Sequence, residues 1–279
     1  MKRRGEKITV VTAYDAPSAR LADAAGLDMI LVGDSAAMAV LGHQSTVPIT
    51  LDEMIMLTRA VARGTRRAVI IADMPFGSYQ VSDVAALENA VRLLKEGRAD
   101  AVKVEGAGET LARVAALVDA GIAVIGHIGL TPQSATLLGG YKPQGRTVAE
   151  AHRLHAAALA LQSAGCVALV LEAIPSPVAA HITRSLRIPT IGIGSGVACD
   201  GQVLVWHDVL GLTEGRVPRF VKQYANLNAA IQAALSAYVA DVRGARFPEP
   251  QHTYPMADDE ADLFMAETGT HLELAKKPG

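Results

Sequence analysis

Two hydrophobic patterns alternate along the chain. Short, unbroken apolar and β-branched runs end in a polar or charged residue, and segments of helical period follow most of them. The runs are Ile8–Thr12, Met29–Gly33, Val69–Asp73, Ala101–Glu105, Ile122–His127, Ala168–Glu172, Thr190–Gly194 and Leu204–His207. Runs without polar alternation are strands buried on both faces, as in a parallel sheet. Helix punctuation lies between them. Thr50 and Glu53 predict a capping box, Met54, Leu57 and Val61 an inward stripe, and Gly64 a C′ glycine. Thr147 and Glu150 predict a second box, closing at Gly165. Ser82 predicts the cap of a helix that turns Val84, Leu87, Val91 and Leu94 inward and ends at Gly97. Pro177 suits the first turn of another, with Ile182 and Leu186 on its face.

Strands alternating with helices fit either an open doubly wound sheet or a closed (β/α)8 barrel. The number of runs, with no Gly-x-Gly-x-x-Gly after the first, favours the barrel. The seventh connection, between Gly194 and Leu204, has room for at most one short helical turn. Residues 226–242 read as a long helix, stopped by Arg246-Phe247-Pro248-Glu249-Pro250. The expected organisation is one barrel domain over residues 1–255 and a flexible C-terminal tail over 256–279.

Composition narrows the function classes. Half of the 279 residues are hydrophobic and 19% are charged, which excludes disorder over most of the length. With 26 basic and 28 acidic residues and 4% aromatics, there is neither an electrostatic footprint nor a stacking platform for nucleic acid. No apolar run is long enough to span a bilayer, so no membrane partner is expected. Cys166 and Cys199 are too few and too far apart for a disulfide framework or a CxxC metal site. Met1-Lys2-Arg3-Arg4 is basic but no apolar stretch follows it, and a reducing cytoplasm is the expected address.

In a barrel the chemistry sits at the carboxyl ends of the strands. Here those ends carry Asp34-Ser35, Asp73, Lys103 with Glu105, His127, Glu172 and His207-Asp208. Carboxylates crowded in a cleft repel one another unless they are neutralised, and a divalent cation is the simplest remedy beyond one lysine. Oxygen ligands without thiolates select Mg²⁺, and Asp34 and Asp73 are the obvious pair. An aspartate after a strand is also an ordinary N-cap, a role open to Asp34 but not to Asp73, which Met74-Pro75-Phe76 follows. Lys103 and Glu105 lie two apart on one run and point to one side, as a confined pair or as a couple beyond the strand end. Glu172 enters Ala173-Ile174-Pro175, and a carboxylate in an apolar neighbourhood makes a better general base near neutral pH. His127 reads equally as a core histidine and as a substrate contact. His152 and His155 read as solvated. The segment 139–146, Gly-Gly-Tyr-Lys-Pro-Gln-Gly-Arg, belongs to a long connection and suggests a cover over an anionic substrate.

These residues resemble the ketopantoate hydroxymethyltransferase family. The stretches that carry the resemblance are Thr12-Ala13-Tyr14-Asp15, Leu31-Val32-Gly33-Asp34-Ser35, Gly42-His43-Gln44-Ser45-Thr46, Ala72-Asp73-Met74-Pro75-Phe76 and Val102-Lys103-Val104-Glu105-Gly106. Further on they are Gly126-His127-Ile128-Gly129-Leu130-Thr131-Pro132-Gln133, Gly139-Gly140-Tyr141-Lys142, Leu171-Glu172, Ile191-Gly192-Ile193-Gly194 and Asp200-Gly201-Gln202-Val203-Leu204-Val205. They fall in family order over residues 8–254. Gly194-Ser195-Gly196 departs from the family's commoner Gly-Ala-Gly.

The resemblance implies a barrel of the phosphoenolpyruvate/pyruvate superfamily type. It implies a Mg²⁺-dependent transfer of a hydroxymethyl group from 5,10-methylenetetrahydrofolate to 3-methyl-2-oxobutanoate, giving 2-dehydropantoate. It assigns Asp34, Asp73 and Glu105 to the metal, and Asp34, Ser35, Asp73 and Lys103 to the oxo acid, beside which His127 stands as the further candidate substrate contact. It makes Glu172 the base and the protein a homo-oligomer, a decamer. The rival readings are a Mg²⁺-dependent C–C lyase or mutase of the same superfamily, which would place a reactive cysteine near the mouth, and a non-catalytic barrel with substituted strand-end charges.

Overall fold

The computed structural model describes residues 1–213, 215 and 217–268. It divides into two compact units, Met1–Asn226 and a second that begins at Leu227. In the first, β1 (Ile8–Thr12), β2 (Met29–Val32), β3 (Val69–Asp73), β4 (Ala101–Glu105), β5 (Val124–Gly129), β6 (Ala168–Glu172), β7 (Thr190–Ile193) and β8 (Gly201–Leu204) form a closed barrel in chain order. All neighbours are parallel, and β1 closes on β8 with Val10 opposite Val203. The helices are α1 (Ala16–Ala24), α2 (Ala36–Ala39), α3 (Leu51–Gly64), α4 (Asp83–Lys95), α5 (Thr110–Asp119), α6 (Val148–Ser163), α7 (Ser176–Ser185) and the short α8 (Trp206–Val209). The second unit holds α9 (Leu227–Arg243) and α10 (Asp258–Thr268), neither with a buried residue among those described. The boundary expected at 255 thus falls inside the second unit. Part of the expected tail is helical, and residues 269–279 lie outside the described residues.

Side-chain alternation splits the apolar residues into two layers. Ile8, Val10, Leu31, Ile71, Ala101, Ile125, Val170, Ile191 and Val203 fill the barrel interior. Val11, Ile30, Val32, Ala72, Val102, Val104, Leu169 and Leu171 point outward and pack with the helices. The same alternation that puts Ala101 inside at the start of β4 puts Lys103 and Glu105 inside at its end.

The three predicted caps form. Thr50–Glu53 and Thr147–Glu150 are reciprocal capping boxes, and Ser82 accepts from the Ala85 N–H. Four expectations need correction. First, Gly64 closes α3 as its last residue rather than as a C′ glycine, and a Cβ there would overlap Ala16 O, so close packing of α1 on α3 requires it. Second, α4 turns Ala86, Ala90 and Leu93 inward, whereas Val84 and Val91 are exposed; the alanines let the helix lie close to the sheet. Third, β5 starts two residues late, because Ile122 N–H bonds back to Leu117 O in the turn that ends α5. Fourth, the eighth strand is Gly201–Leu204, and Trp206–Val209 is helical. Gly201 sits against Ile8 O and the Ile191 side chain, where a Cβ would clash, and Gln202 points outward. The eighth strand therefore lacks the apolar run that marks the others. Among the described residues no helix links β7 to β8.

Candidate active site

The carboxyl ends of β2 to β6 bring the predicted residues to one mouth. Asp34, just after β2, is buried, as are Asp73, Lys103, Glu105 and His127. Lys103 Nζ lies 3.0 Å from Asp73 Oδ1, 3.6 Å from Glu105 Oε1 and 3.2 Å from His127 Nδ1. His127 Nδ1 is also 3.4 Å from Glu105 Oε1, and its Nε2 is 3.3 Å from Glu172 Oε2. The Asp34 N–H donates to Asp73 Oδ2 at 3.0 Å. The expected confinement of Lys103 with Glu105 is therefore what the barrel builds, and Asp34 does not cap α2, whose N-cap is Ser35.

The electrostatics follow from burial and crowding. Asp34 is held well above the usual carboxylate range, first by burial and then by Asp73 and Glu105. Burial also raises Asp73, although Lys103 opposes it. Burial works against charge on Glu105, but Lys103 and His127 outweigh it and hold this carboxyl below its ordinary value. Lys103 is likewise buried, yet Asp73, Glu105 and Asp34 keep it more basic than a free lysine. His127 is disfavoured as a cation by burial and by Lys103, and its contacts with Glu105 and Glu172 bring it up to about 9. Glu172 is nearer the rim, its side chain 14% exposed against 3% for Asp73 and Glu105. Its near neighbour is the His127 ring rather than the apolar wall that the flanking sequence suggests.

Sequence reasoning did not single out Gln133, Tyr79 and Tyr14 as site residues. Gln133 N–H donates to Glu105 Oε2 at 3.0 Å, and its Nε2 donates to Asp34 Oδ2 and Met74 O, both at 2.9 Å. Its Oε1 accepts from the Tyr79 hydroxyl at 2.8 Å. One neutral, buried side chain thus ties Asp34, Glu105 and the loop after β3 together. The Tyr14 hydroxyl is 2.8 Å from Ser35 Oγ. The available signal was position: Gln133 lies in the long connection after β5, and Tyr14 two residues beyond β1. The 139–146 segment reaches across the mouth, with the Tyr141 hydroxyl donating to Met38 Sδ and the Gln144 N–H to Ala173 O. His207 and Asp208 stand apart from the cluster: the His207 ring lies beside Tyr14, and Asp208 accepts from Thr213. His155 is not solvated as expected; it packs edge-on against His181, ring centroids 4.6 Å apart.

A hard cation can be tested against this donor set. Asp73 Oδ1 is buried with the Lys103 ammonium as its one close partner, and Asp34 carries a carboxyl destabilised as an anion by burial and then by its neighbours. Glu105 is already engaged through both oxygens. Among the described residues no three His, Cys, Asp or Glu side chains form a ready-made cage. Two carboxylates with room for water and substrate are the usual protein share of a Mg²⁺ site. The residues fit such an ion, with Asp34 and Asp73 nearest to it and Glu105 behind them.

Comparison with known proteins decides the family. The model of ketopantoate hydroxymethyltransferase matches residues 1–250. The chain belongs to this family. The 3-methyl-2-oxobutanoate hydroxymethyltransferase of Moorella thermoacetica is 58% identical over 91% of this chain and 94% of its own. The mitochondrial 3-methyl-2-oxobutanoate hydroxymethyltransferase 1 of Arabidopsis thaliana is 53% identical over 95% of this chain and 78% of its own. As a member of the ketopantoate hydroxymethyltransferase family the chain is a transferase enzyme. Among solved structures, 2,3-dimethylmalate lyase, a PEP mutase/isocitrate lyase superfamily member, matches with a TM-score of 0.58 at 17% identity over 96% of this chain and 95% of its own. Phosphonopyruvate hydrolase in complex with oxalate and Mg²⁺ matches at 0.59 and 15%, over 96% and 93%. At these identities the likeness shows the barrel alone. Among the described residues no helix is long and apolar enough to cross a membrane.

Proposed function

We propose that this mouth transfers a hydroxymethyl group from 5,10-methylenetetrahydrofolate to 3-methyl-2-oxobutanoate, giving 2-dehydropantoate. The observation that carries the reading is a rim carboxylate, Glu172, joined through His127 to a buried lysine and carboxylate cluster on the same mouth. Mg²⁺ held by Asp34 and Asp73 would supply the Lewis acid that makes the proton next to the keto group removable. Lys103 attracts the substrate carboxylate as a cation, and Ser35 donates a hydrogen bond to it while Tyr14 fixes its hydroxyl. Glu172 takes the proton from C3, and His127 steadies the resulting carboxylic acid from the other side. The C3 carbanion bonds to the methylene carbon of the folate, the bond from that carbon to one folate nitrogen breaks, and water releases the alcohol as the second nitrogen leaves. The homo-oligomer, a decamer, and the cytoplasmic address go with this reading, and light scattering of the purified chain tests the former.

A lyase or mutase reading receives no support from the thiols. Cys166 precedes β6 and Cys199 precedes β8, both at the amino ends of the strands. Burial pushes Cys166 up to about 12 and also raises Cys199.

The test is exchange of the C3 hydrogen of 3-methyl-2-oxobutanoate with deuterium, followed by NMR. Glu172→Gln is expected to bind the oxo acid within a few-fold of the parent and to lose exchange by on the order of a thousand-fold. Exchange at the parental rate would remove Glu172 from this role.

A further inference from the structure

The residues after Glu172 run in an unusual course. Ala173 has φ +50°, a left-handed conformation that is costly for a residue with a Cβ. Something must hold it there. On the β5 side, Leu130 N–H donates to Glu172 O at 2.9 Å and Gln144 N–H to Ala173 O at 3.0 Å. On the β7 side, Ala173 N–H donates to Ile193 O at 2.8 Å. These bonds are all between backbone groups, so no side-chain substitution removes them directly.

Two further bonds converge on one side chain. The hydroxyl of Ser195, wholly buried in the loop after β7, donates to Leu171 O at 2.7 Å and accepts from Ile174 N–H at 3.1 Å. Its remaining neighbour, Ile193 O at 3.4 Å, is too distant to compete for its single proton. The hydroxyl therefore bridges the residue before Glu172 to the residue after Ala173. Gly196 seats this loop: a Cβ there would stand 2.6 Å from Ser176 Cβ, at the start of α7.

We infer that Ser195 is a positioning residue for Glu172: its hydroxyl pins the turn at Ala173 and so fixes where the carboxylate meets His127 and the substrate. The inference rests on the reading of Glu172 as the base. Without the hydroxyl, Ile174 N–H loses its side-chain acceptor, Leu171 O keeps only its place in the β6–β7 ladder, and the side-chain bridge between the two is gone. The turn can then relax away from φ +50°, and a carboxylate displaced by a fraction of an ångström loses its line on the C3 hydrogen.

The experiment measures kcat and KM for deuterium exchange at C3, well below the melting temperature of every variant, together with each melting temperature. Ser195→Ala is expected to lower kcat about ten-fold while KM for the oxo acid stays within about two-fold. Ser195→Thr, which keeps the hydroxyl, is expected to recover most of that loss. Adding Ala173→Gly to Ser195→Ala removes the Cβ penalty and is expected to restore part of kcat, a coupling that independent sites would not show. If Ser195→Ala does not fold, Ser195→Cys carries the test, with a weak thiol bridge and a kcat between those of serine and alanine. A fall in melting temperature with unchanged kcat, in either variant, overturns the inference. Parental protein that exchanges no deuterium, or Glu172→Gln that exchanges normally, overturns the reading of the base instead.

Discussion

Both ends of the barrel carry aspartates, and they do opposite things. At the amino ends, Asp28, Asp100 and Asp200 each stand one residue before a strand and accept a backbone N–H from the strand beside it. The donors are Thr9 at 2.8 Å, Ile70 at 2.8 Å and Thr190 at 2.9 Å. None of the three is buried, and each contributes a clamp between neighbouring strands. At the carboxyl ends, Asp34 and Asp73 are 4% and 2% exposed, and Asp73 receives its backbone donor, Asp34 N–H, across a space that Glu105 and Lys103 share. The same residue type at β-strand ends stabilises where it faces water and donors, an amide in each case, a hydroxyl beside it at Asp28 and Asp200, and the Lys2 ammonium at Asp200. Where it faces other carboxylates it stores repulsion. A barrel keeps these tasks on separate faces, which lets chemistry change without undoing the scaffold.

Lys103→Met probes that difference most severely. Lys103 is the single lysine among three buried carboxylates. Removing one partner of a buried ion pair costs about 3–5 kcal/mol, and urea unfolding of the cation-free protein near pH 8 is expected to show a loss of that order. The sign with pH is fixed. The folded lysine is more basic than the free one, so its contribution in the parent is complete throughout the neutral range and disappears only at high pH. In the variant, Asp34 and Asp73 can take up protons, so its deficit is expected to shrink toward pH 5. A deficit independent of pH would mean that the carboxylates do not feel one another.

Asp34→Asn separates the two faces by a smaller amount and in the other direction. The folded Asp34 holds its proton more tightly than the unfolded chain does, first because it is buried and then because Asp73 and Glu105 are near. This group therefore favours folding at low pH, and that contribution falls as the pH rises from the unfolded value through the raised one. An asparagine cannot ionise. Without divalent cation the variant is expected to gain on the parent by on the order of 1 kcal/mol between pH 5 and pH 8, by denaturant titration. Adding Mg²⁺ is expected to stabilise the parent and reverse the order. If Mg²⁺ raises both melting temperatures equally, Asp34 does not hold it.

Much of this architecture could be read from the chain because barrel strands announce themselves by unbroken burial. Val69–Asp73 and Ala168–Glu172 are apolar until the residue that emerges at the mouth, and Ala101–Glu105 is interrupted only by Lys103 on the side that Glu105 shares, so the strand ends were placed correctly along with Asp73, Glu105 and Glu172. β8 broke the rule because closing the barrel demanded a glycine at 201 and left Gln202 outside. Gln133 was illegible for a different reason. Its importance comes from four bonds to residues 28 to 99 positions away in sequence, or to Met74 O on another loop, and a neutral amide carries no charge to betray it. Ser195 is hidden likewise, since a serine between glycines reads as a turn until β6 and β7 are side by side.

The mildest substitution asks whether the amino-end aspartates are only clamps. Asp100→Asn keeps the shape of the side chain and an oxygen that can accept from Ile70 N–H, but it makes a charge-assisted bond into a neutral one. Asp100 is exposed, so water compensates much of the loss. The expected cost is about 0.5–1 kcal/mol in urea unfolding, with kcat, KM and the Mg²⁺ titration unchanged. Asp100 directly precedes β4, the strand that carries Lys103 and Glu105 three and five residues further on. A change in kcat would therefore mean that a shift at the foot of β4 is transmitted along the strand to the mouth. Unchanged kinetics with a measurable stability loss would show that β4 holds its mouth end in place through its flanking strands, independently of the clamp beneath it.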